Sequence, residues 1–159
     1  MVDQHRPGDH QLEWALWFRA AERIEVRAGG LVTGPPDVDP LPEQSVTSGD
    51  ELAEGWLWWW RTLLAQLSFA VFGPPDFAGL ANYPALRHVV TARWSEANAW
   101  HSARKRAGIE AFRDARGLRP GREGAVVRAV EVEIGHKAAP FALRIIVLPV
   151  RDEQIRPAG

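Results

Sequence analysis

The strongest constraint on the fold is one apolar segment, residues 48 to 72, which carries four tryptophans within five positions. Ser48 can cap a helix, Asp50 and Glu51 suit the positively polarised first turn, and Gly73 begins a Gly-Pro-Pro sequence that would end it. We therefore predict a long helix over this segment. The chain holds eight Trp against one Tyr, so rigid indoles, each with one N–H to satisfy, supply much of its large apolar surface.

A second, longer helix is predicted from Pro84 to Arg116. Proline is tolerated in the first turn of a helix and Gly117 can end it, while Gly108 is a point where the helix could bend. The segment from residue 125 to residue 134 fits two structures. Its alternating apolar and acidic residues fit a strand, and the same residues fit a helix ended by Gly135.

Both ends of the chain carry patterns typical of strands. In residues 12 to 19 every second side chain is large and apolar, which predicts a strand, although a helix also fits. Residues 141 to 150 are apolar on both alternating faces, as in an interior strand that is buried on both sides. Gly29 and Gly30 fit a hairpin turn between two short apolar runs.

These elements predict one α+β domain over residues 1 to 159, with a small mixed or antiparallel sheet from both chain ends packed against the two long helices. A chain of 159 residues can bury enough apolar surface for one core. Residues 34 to 48 hold four prolines and three acids, which predicts an extended acidic surface loop. We expect residues 151 to 159 to form a mobile tail.

The composition excludes several kinds of site. The absence of cysteine removes disulfides, zinc–thiolate sites and thiol nucleophiles. The common phosphate, dinucleotide, hydrolase and metal motifs are missing, so we expect no cofactor and no metal. Asp37, Asp39 and Glu43 could offer oxygens to a cation, but acids in a proline-rich loop are usually solvated. The polar first ten residues and the preference for arginine over lysine favour a complete, soluble, cytoplasmic protein of bacterial origin.

Two arginines and one histidine interrupt the apolar face of the second helix. At ~100° per residue, Arg93 and Arg104 fall among its apolar residues, with His101 at the edge beside Trp94. The functional interpretation is a pocket for an anionic metabolite, because a guanidinium binds carboxylate or phosphate through two hydrogen bonds and a histidine can move a proton. The structural interpretation is that the guanidinium groups reach internal carboxylates, such as those of segment 125–134.

The first helix carries a second apolar strip besides its core-facing stripe. The core-facing stripe consists of Leu52, Trp56, Trp59, Trp60, Leu63, Leu67 and Ala70. Trp58 and Phe69 point the other way and are eleven residues apart, hence aligned, with Thr62 and Ala65 between them. This strip is either an interface, where tryptophan is favoured, or the inner face of a helix that is covered on both sides.

Three functions follow from these features. The first is a non-enzymatic accessory or assembly protein that binds a protein partner, or a second copy of itself, through the Trp-rich helix. The second is a small enzyme or ligand-binding protein that takes an anionic metabolite into the arginine–histidine pocket. The third is nucleic-acid binding by the basic residues of the second helix. The apolar stretch of the first helix approaches the length of a membrane span, but Arg61 and the acidic start of the helix argue against membrane contact.

Overall fold

The computed structural model describes residues 7–26, 34, 36–46, 49–65, 69–114, 122–137 and 148–151. Its α-helices are α1 (Pro7–Ala21), α2 (Asp50–Leu64), α3 (Pro84–Asp114) and α4 (Arg122–Ile134). Two short 3₁₀ helices, Phe69–Phe72 and Ala78–Leu80, lie between α2 and α3 in the chain. Within these residues the only extended pairing is an isolated antiparallel bridge between Pro36 and Val150.

The predicted α+β fold is wrong, because the described residues are mainly helical and contain no sheet. The error began at residues 12 to 19, which lie in α1 rather than in a strand. Ala15, Leu16, Trp17 and Phe18 follow one another, and each is at most 2% exposed. A helix that is covered on nearly all sides lacks a polar face, so the alternation of large residues carried no information about the backbone period.

Of the other two segments that fitted a strand, one is helical and the other is described only in part. Segment 125–134 is helical and belongs to α4. Gly135 follows with a φ of 76°, the left-handed conformation that commonly ends a helix at glycine. Of the predicted C-terminal strand, residues 148–150 are described, and they form no strand beyond the isolated bridge of Val150 with Pro36. Its earlier residues, the predicted turn at 29–30 and the tail 152–159 lie outside the described residues.

Both predicted long helices are present, and one of them is shorter than expected. α3 ends at Asp114, close to the predicted end at Arg116. α2 ends at Leu64, and the chain forms a 3₁₀ helix at Phe69–Phe72 instead of continuing the α-helix. Acidic residues occupy the first turn of α2 and a basic residue its last turn, as the helix dipole favours.

Contacts between Cα atoms divide the chain into two compact units, Met1–Ser102 with Val147–Gly159, and Ala103–Ile146. In the first unit, α1 packs against α2 and against the first 3₁₀ helix. The core of this unit contains the fully buried side chains Leu16, Trp17, Phe18, Trp56, Trp59, Trp60, Leu63, Phe72, Phe77, Leu80 and Leu86. The second unit contains α4. The part of the predicted core-facing stripe that lies in α2 is buried, namely Leu52, Trp56, Trp59, Trp60 and Leu63. Ala70, predicted to belong to the same stripe, is exposed in the first 3₁₀ helix, and Leu67 lies outside the described residues.

A single domain over residues 1 to 159 stays a prediction. The described part of the proline-rich loop contains no helix and is anchored to the fold. Val38 is 3% exposed, and the Asp37 N–H donates to the Pro149 oxygen at 2.6 Å. Among the helices of the described residues, none combines the length and the apolar character needed to cross a bilayer.

Candidate functional site

Arg93 lies on α3 with only 7% of its surface exposed. Its Nη1 donates to the Glu22 carboxylate and, over 2.9 Å, to the backbone oxygen of Glu43. Nη2 and Nε donate to the two carboxylate oxygens of Glu96 at 2.7 and 3.2 Å. The guanidinium carbon lies 5.0 Å from the Trp17 ring centre, within cation–π range. Carboxylates of the same chain therefore balance the charge of Arg93.

Glu22, which follows α1, is fully buried and collects several further donors. Ser45 donates through its backbone N–H at 2.9 Å and its hydroxyl at 2.8 Å, and the Val46 N–H donates at 3.1 Å. Burial alone raises the pKa of Glu22, but the hydrogen bonds from Arg93, Ser45 and Val46 outweigh this effect and lower it. The Glu22 carboxylate is therefore ionised at neutral pH, and it joins α1, the loop and α3 within the first unit.

His101 makes a second buried polar contact between α3 and α1. It is 7% exposed, and its Nδ1 lies 3.1 Å from Oε2 of Glu13. A carboxylate oxygen accepts a hydrogen bond from an imidazole N–H, so Nδ1 is the donor in this contact. The imidazole lies edge-on to the rings of His10 and Trp14, with centroids 4.7 and 5.4 Å away. These contacts fix the orientation of the imidazole ring.

Trp94 belongs to the same aromatic group as His101. Its ring centroid lies 4.4 Å from that of Trp14 and 5.1 Å from that of Phe77. The indole N–H of Trp14 is buried without an acceptor among the described residues. Such a donor normally finds a partner when it is buried.

The structure does not gather the four predicted pocket residues around one ligand. It groups His101 and Trp94 through Trp14 and gives Arg93 a separate set of partners. Arg104 is half-buried on α3 and belongs to the second unit. An anion pocket made from these residues stays a prediction.

The structure describes only some of the basic residues of α3 that predict nucleic-acid binding. Lys105 and Arg106 are exposed in the second unit. The side chain of Arg113, and all of Arg116, lie outside the described residues. Nucleic-acid binding by this segment stays a prediction, because exposure of basic residues is common on helix surfaces.

Sequence reasoning missed the acids that meet these α3 side chains. Glu22 is followed by Arg23 between the buried Ala21 and Ile24, and the sequence alone does not distinguish the buried acid from the exposed arginine. Glu13 was missed because residues 12 to 19 were predicted as a strand, whereas they belong to α1. In α1 the same residue contacts His101.

The outer side of α2 carries the predicted interface residues Trp58, Thr62 and Ala65. Trp58 and Thr62 are half-buried and Ala65 is exposed. Phe69 belongs to the first 3₁₀ helix, and its side chain lies outside the described residues. Because α2 ends at Leu64, Trp58 and Phe69 are not aligned on one helix, and that part of the prediction is wrong.

Other apolar residues surround Trp58 instead. Its ring centroid lies 5.0 Å from that of Tyr83 and 6.0 Å from that of Phe72. Val71, beside Phe72 in the chain, is 41% exposed. Side-chain atoms of Val71 and Phe72 both come close to Gly79. We define the Trp58 surface as the residues Trp58, Thr62, Ala65, Val71 and Tyr83.

The acids considered as cation ligands are engaged or exposed. Asp37 accepts a hydrogen bond from Nε of Arg151 at 3.0 Å, and Asp39 and Glu43 are exposed. Among the described residues, no group of three or more histidine, aspartate and glutamate side chains is arranged to hold a metal ion. Comparison with protein-family models, with curated proteins and with solved structures finds no match to the chain.

Proposed function

We propose that this chain is a non-enzymatic, cytoplasmic accessory protein that binds another protein chain through the Trp58 surface. The observation that supports the proposal is an apolar group at the surface. The rings of Trp58 and Tyr83 are half-buried and in contact. Val71, the chain neighbour of Phe72, whose ring also lies near that of Trp58, is 41% exposed. Apolar and aromatic side chains gathered at a surface are typical of the central part of protein–protein interfaces. Thr62 and Ala65 extend the surface along α2 with small side chains that allow close approach.

The buried charge of the first unit fits this proposal better than it fits an anion pocket. A buried guanidinium requires acceptors or a counter-charge. Glu22, Glu96 and the Glu43 oxygen already meet that need for Arg93. Arg93 therefore needs no bound anion.

The proposal is tested by native mass spectrometry and light scattering on the full chain isolated from its own cells. Val71→Asp places a charge on the Trp58 surface, and burying that charge against a partner is costly. Leu41→Asp is the matched control, because Leu41 is 51% exposed and lies outside this surface. Both changes are at exposed positions, so each should alter folding stability by at most ~0.5 kcal/mol.

We expect a stoichiometric protein complex in the wild type that is lost in Val71→Asp and kept in Leu41→Asp. The complex contains either a second copy or a different protein. A complex that survives Val71→Asp unchanged, or a wild type without any protein partner, would overturn the proposal.

The Glu13–His101 pair supports a second candidate, binding of a small molecule beside α1 and α3. The buried Trp14 N–H would offer a hydrogen-bond donor beside the imidazole of His101. A thermal-shift series with anionic metabolites tests it on wild type and on His101→Phe and Arg104→Met. A ligand that raises the melting temperature of wild type and not of His101→Phe supports this candidate; no shift with any metabolite rejects it.

A further inference from the structure

One face of α2 points to solvent and carries charges in a definite order. Glu51, Glu54 and Arg61 are exposed, and the half-buried Trp58 lies between the acids and the arginine. The spacing from Glu51 to Ala65 runs three, four, three and four residues, so these side chains share an arc of about 80° at ~100° per residue. We define the α2 stripe as Glu51, Glu54, Trp58, Arg61 and Ala65.

The α2 stripe is complementary to itself when it is reversed. Glu54 and Arg61 stand seven residues apart, about 10.5 Å along the helix. The midpoint between them falls beside Trp58. An antiparallel copy of α2, related by a two-fold axis at that midpoint, would place Glu54 of each copy opposite Arg61 of the other. A parallel copy in register would place like charges opposite each other.

We propose that α2 docks antiparallel on α2 of a second copy of this chain, with Trp58 next to the two-fold axis and Glu54 of each copy facing Arg61 of the other. This inference rests on the proposed function and names the partner. The two ends of the contact carry reciprocal ion pairs, and the aromatic centre lies between them.

The two kinds of contact have different roles in this arrangement. Exposed ion pairs contribute little affinity, but they fix orientation and register because the wrong pairing brings like charges together. A large aromatic residue at the centre of an interface contributes affinity when the surrounding residues exclude water from it. Tyr83 supports the Trp58 ring from one side, which limits the motion that would be lost on docking.

Charge exchange between the two positions tests the proposal. Glu54→Arg places two arginines opposite each other at both ends of the contact, and Arg61→Glu places two glutamates there. The double variant Glu54→Arg with Arg61→Glu restores opposite charges in the same antiparallel arrangement. Dimer dissociation of the full chain is measured by light scattering and native mass spectrometry over a dilution series, with helix content checked by circular dichroism.

We expect a wild-type dimer, at least a tenfold weaker dimer in each single variant, and recovery to within about threefold of wild type in the double variant. Glu25→Arg and Arg106→Glu are the matched controls, because both positions are exposed and lie outside the α2 stripe. The dimer should be insensitive to either control.

The results separate this inference from the proposed function. A dimer that both single variants leave intact, or that the double variant fails to recover, overturns the antiparallel arrangement. The wild type could instead be monomeric and form a complex with a different protein that is lost in Val71→Asp. That result would exclude a second copy as the partner, and the proposed function would stand. A wild type without any protein partner overturns both.

Discussion

At the scale of single residues, the stability of the first unit depends on the buried ion pair between Arg93 and Glu22. Arg93→Met should lower the free energy of unfolding by about 3–5 kcal/mol, because it leaves the carboxylate of Glu22 buried without its cation. Urea unfolding followed by tryptophan fluorescence measures this loss. Trp17 lies against the guanidinium, so the fluorescence also reports on the site itself.

The double variant Glu22→Gln with Arg93→Met is the control for this prediction. It removes both charges, so its loss of stability should be smaller than the sum of the two single losses. Additive losses would show that the two side chains act independently. An Arg93→Met protein that unfolds at the wild-type urea concentration would contradict the role assigned to the pair.

The sequence identified the unusual residues of α3 and not their partners. Arg93 and His101 could be found because positions on one helix follow from ~100° per residue, without knowledge of the rest of the fold. Glu22 and Glu13 could not be found in this way, because their contacts depend on how α1 packs against α3. The strand prediction for residues 12 to 19 gave α1 the wrong backbone period, so it could not place Glu13 next to His101.

At the scale of elements, helices were predictable where end signals and patterning agreed. Pro84 begins α3 as predicted. The acidic first turn of α2 is also present, but the helix begins at Asp50 and its N-cap is Gly49 rather than the predicted Ser48. The end of α2 was predicted too late because the sequence between Leu64 and Gly73 contains no glycine or proline. A helix can end without such residues when tertiary packing of the following segment is stronger than helix propensity.

Gly79 is predicted to be a required glycine in the segment between α2 and α3. A Cβ at this position would lie 2.5 Å from Cε1 of Phe72 and 2.9 Å from Cγ2 of Val71. Phe72 is 2% exposed and has little room to move. Gly79→Ala should therefore cost about 1–3 kcal/mol by overpacking, measured by urea unfolding.

Gly108→Ala is the control, because the same substitution should raise stability at this position. Gly108 is exposed within α3, and a Cβ there would meet no atom within 4 Å. Alanine is about 0.8–1 kcal/mol more favourable than glycine in a helix interior. Gly108→Ala should therefore increase helix stability, measured by circular dichroism on heating. If Gly79→Ala is equally harmless, Phe72 can move aside and the close approach is not required.

At the scale of the whole molecule, polar contacts join residues that are far apart in sequence. Arg93 and Glu22 are 71 residues apart, His101 and Glu13 are 88 apart, and Arg151 and Asp37 are 114 apart. The first two are largely buried, and the third is exposed on both sides. Exposed pairs contribute little, so resistance to acid should depend on the buried contacts.

Acid should therefore unfold the protein partly by protonating Glu22. Its pKa in the folded chain is lowered from the ordinary value of 4.5, because the hydrogen bonds from Arg93, Ser45 and Val46 outweigh the opposing effect of burial. A lowered folded-state pKa means that the unfolded chain binds the proton more readily. The stabilisation is thus complete above about pH 4.5 and is lost as the pH falls through the folded-state pKa of Glu22. Glu96, whose pKa Arg93 also lowers, adds a smaller effect because its side chain is 54% exposed.

Urea unfolding at a series of pH values between about 7 and 2 measures this dependence. Glu22→Gln should be less stable than wild type at neutral pH and should lose less further stability below pH 4.5, since it has no carboxylate to protonate there. Glu25→Gln is the matched control, because Glu25 is exposed nearby, and its curve should follow that of wild type. Parallel curves for wild type and Glu22→Gln below pH 4.5 would show that other groups control acid unfolding.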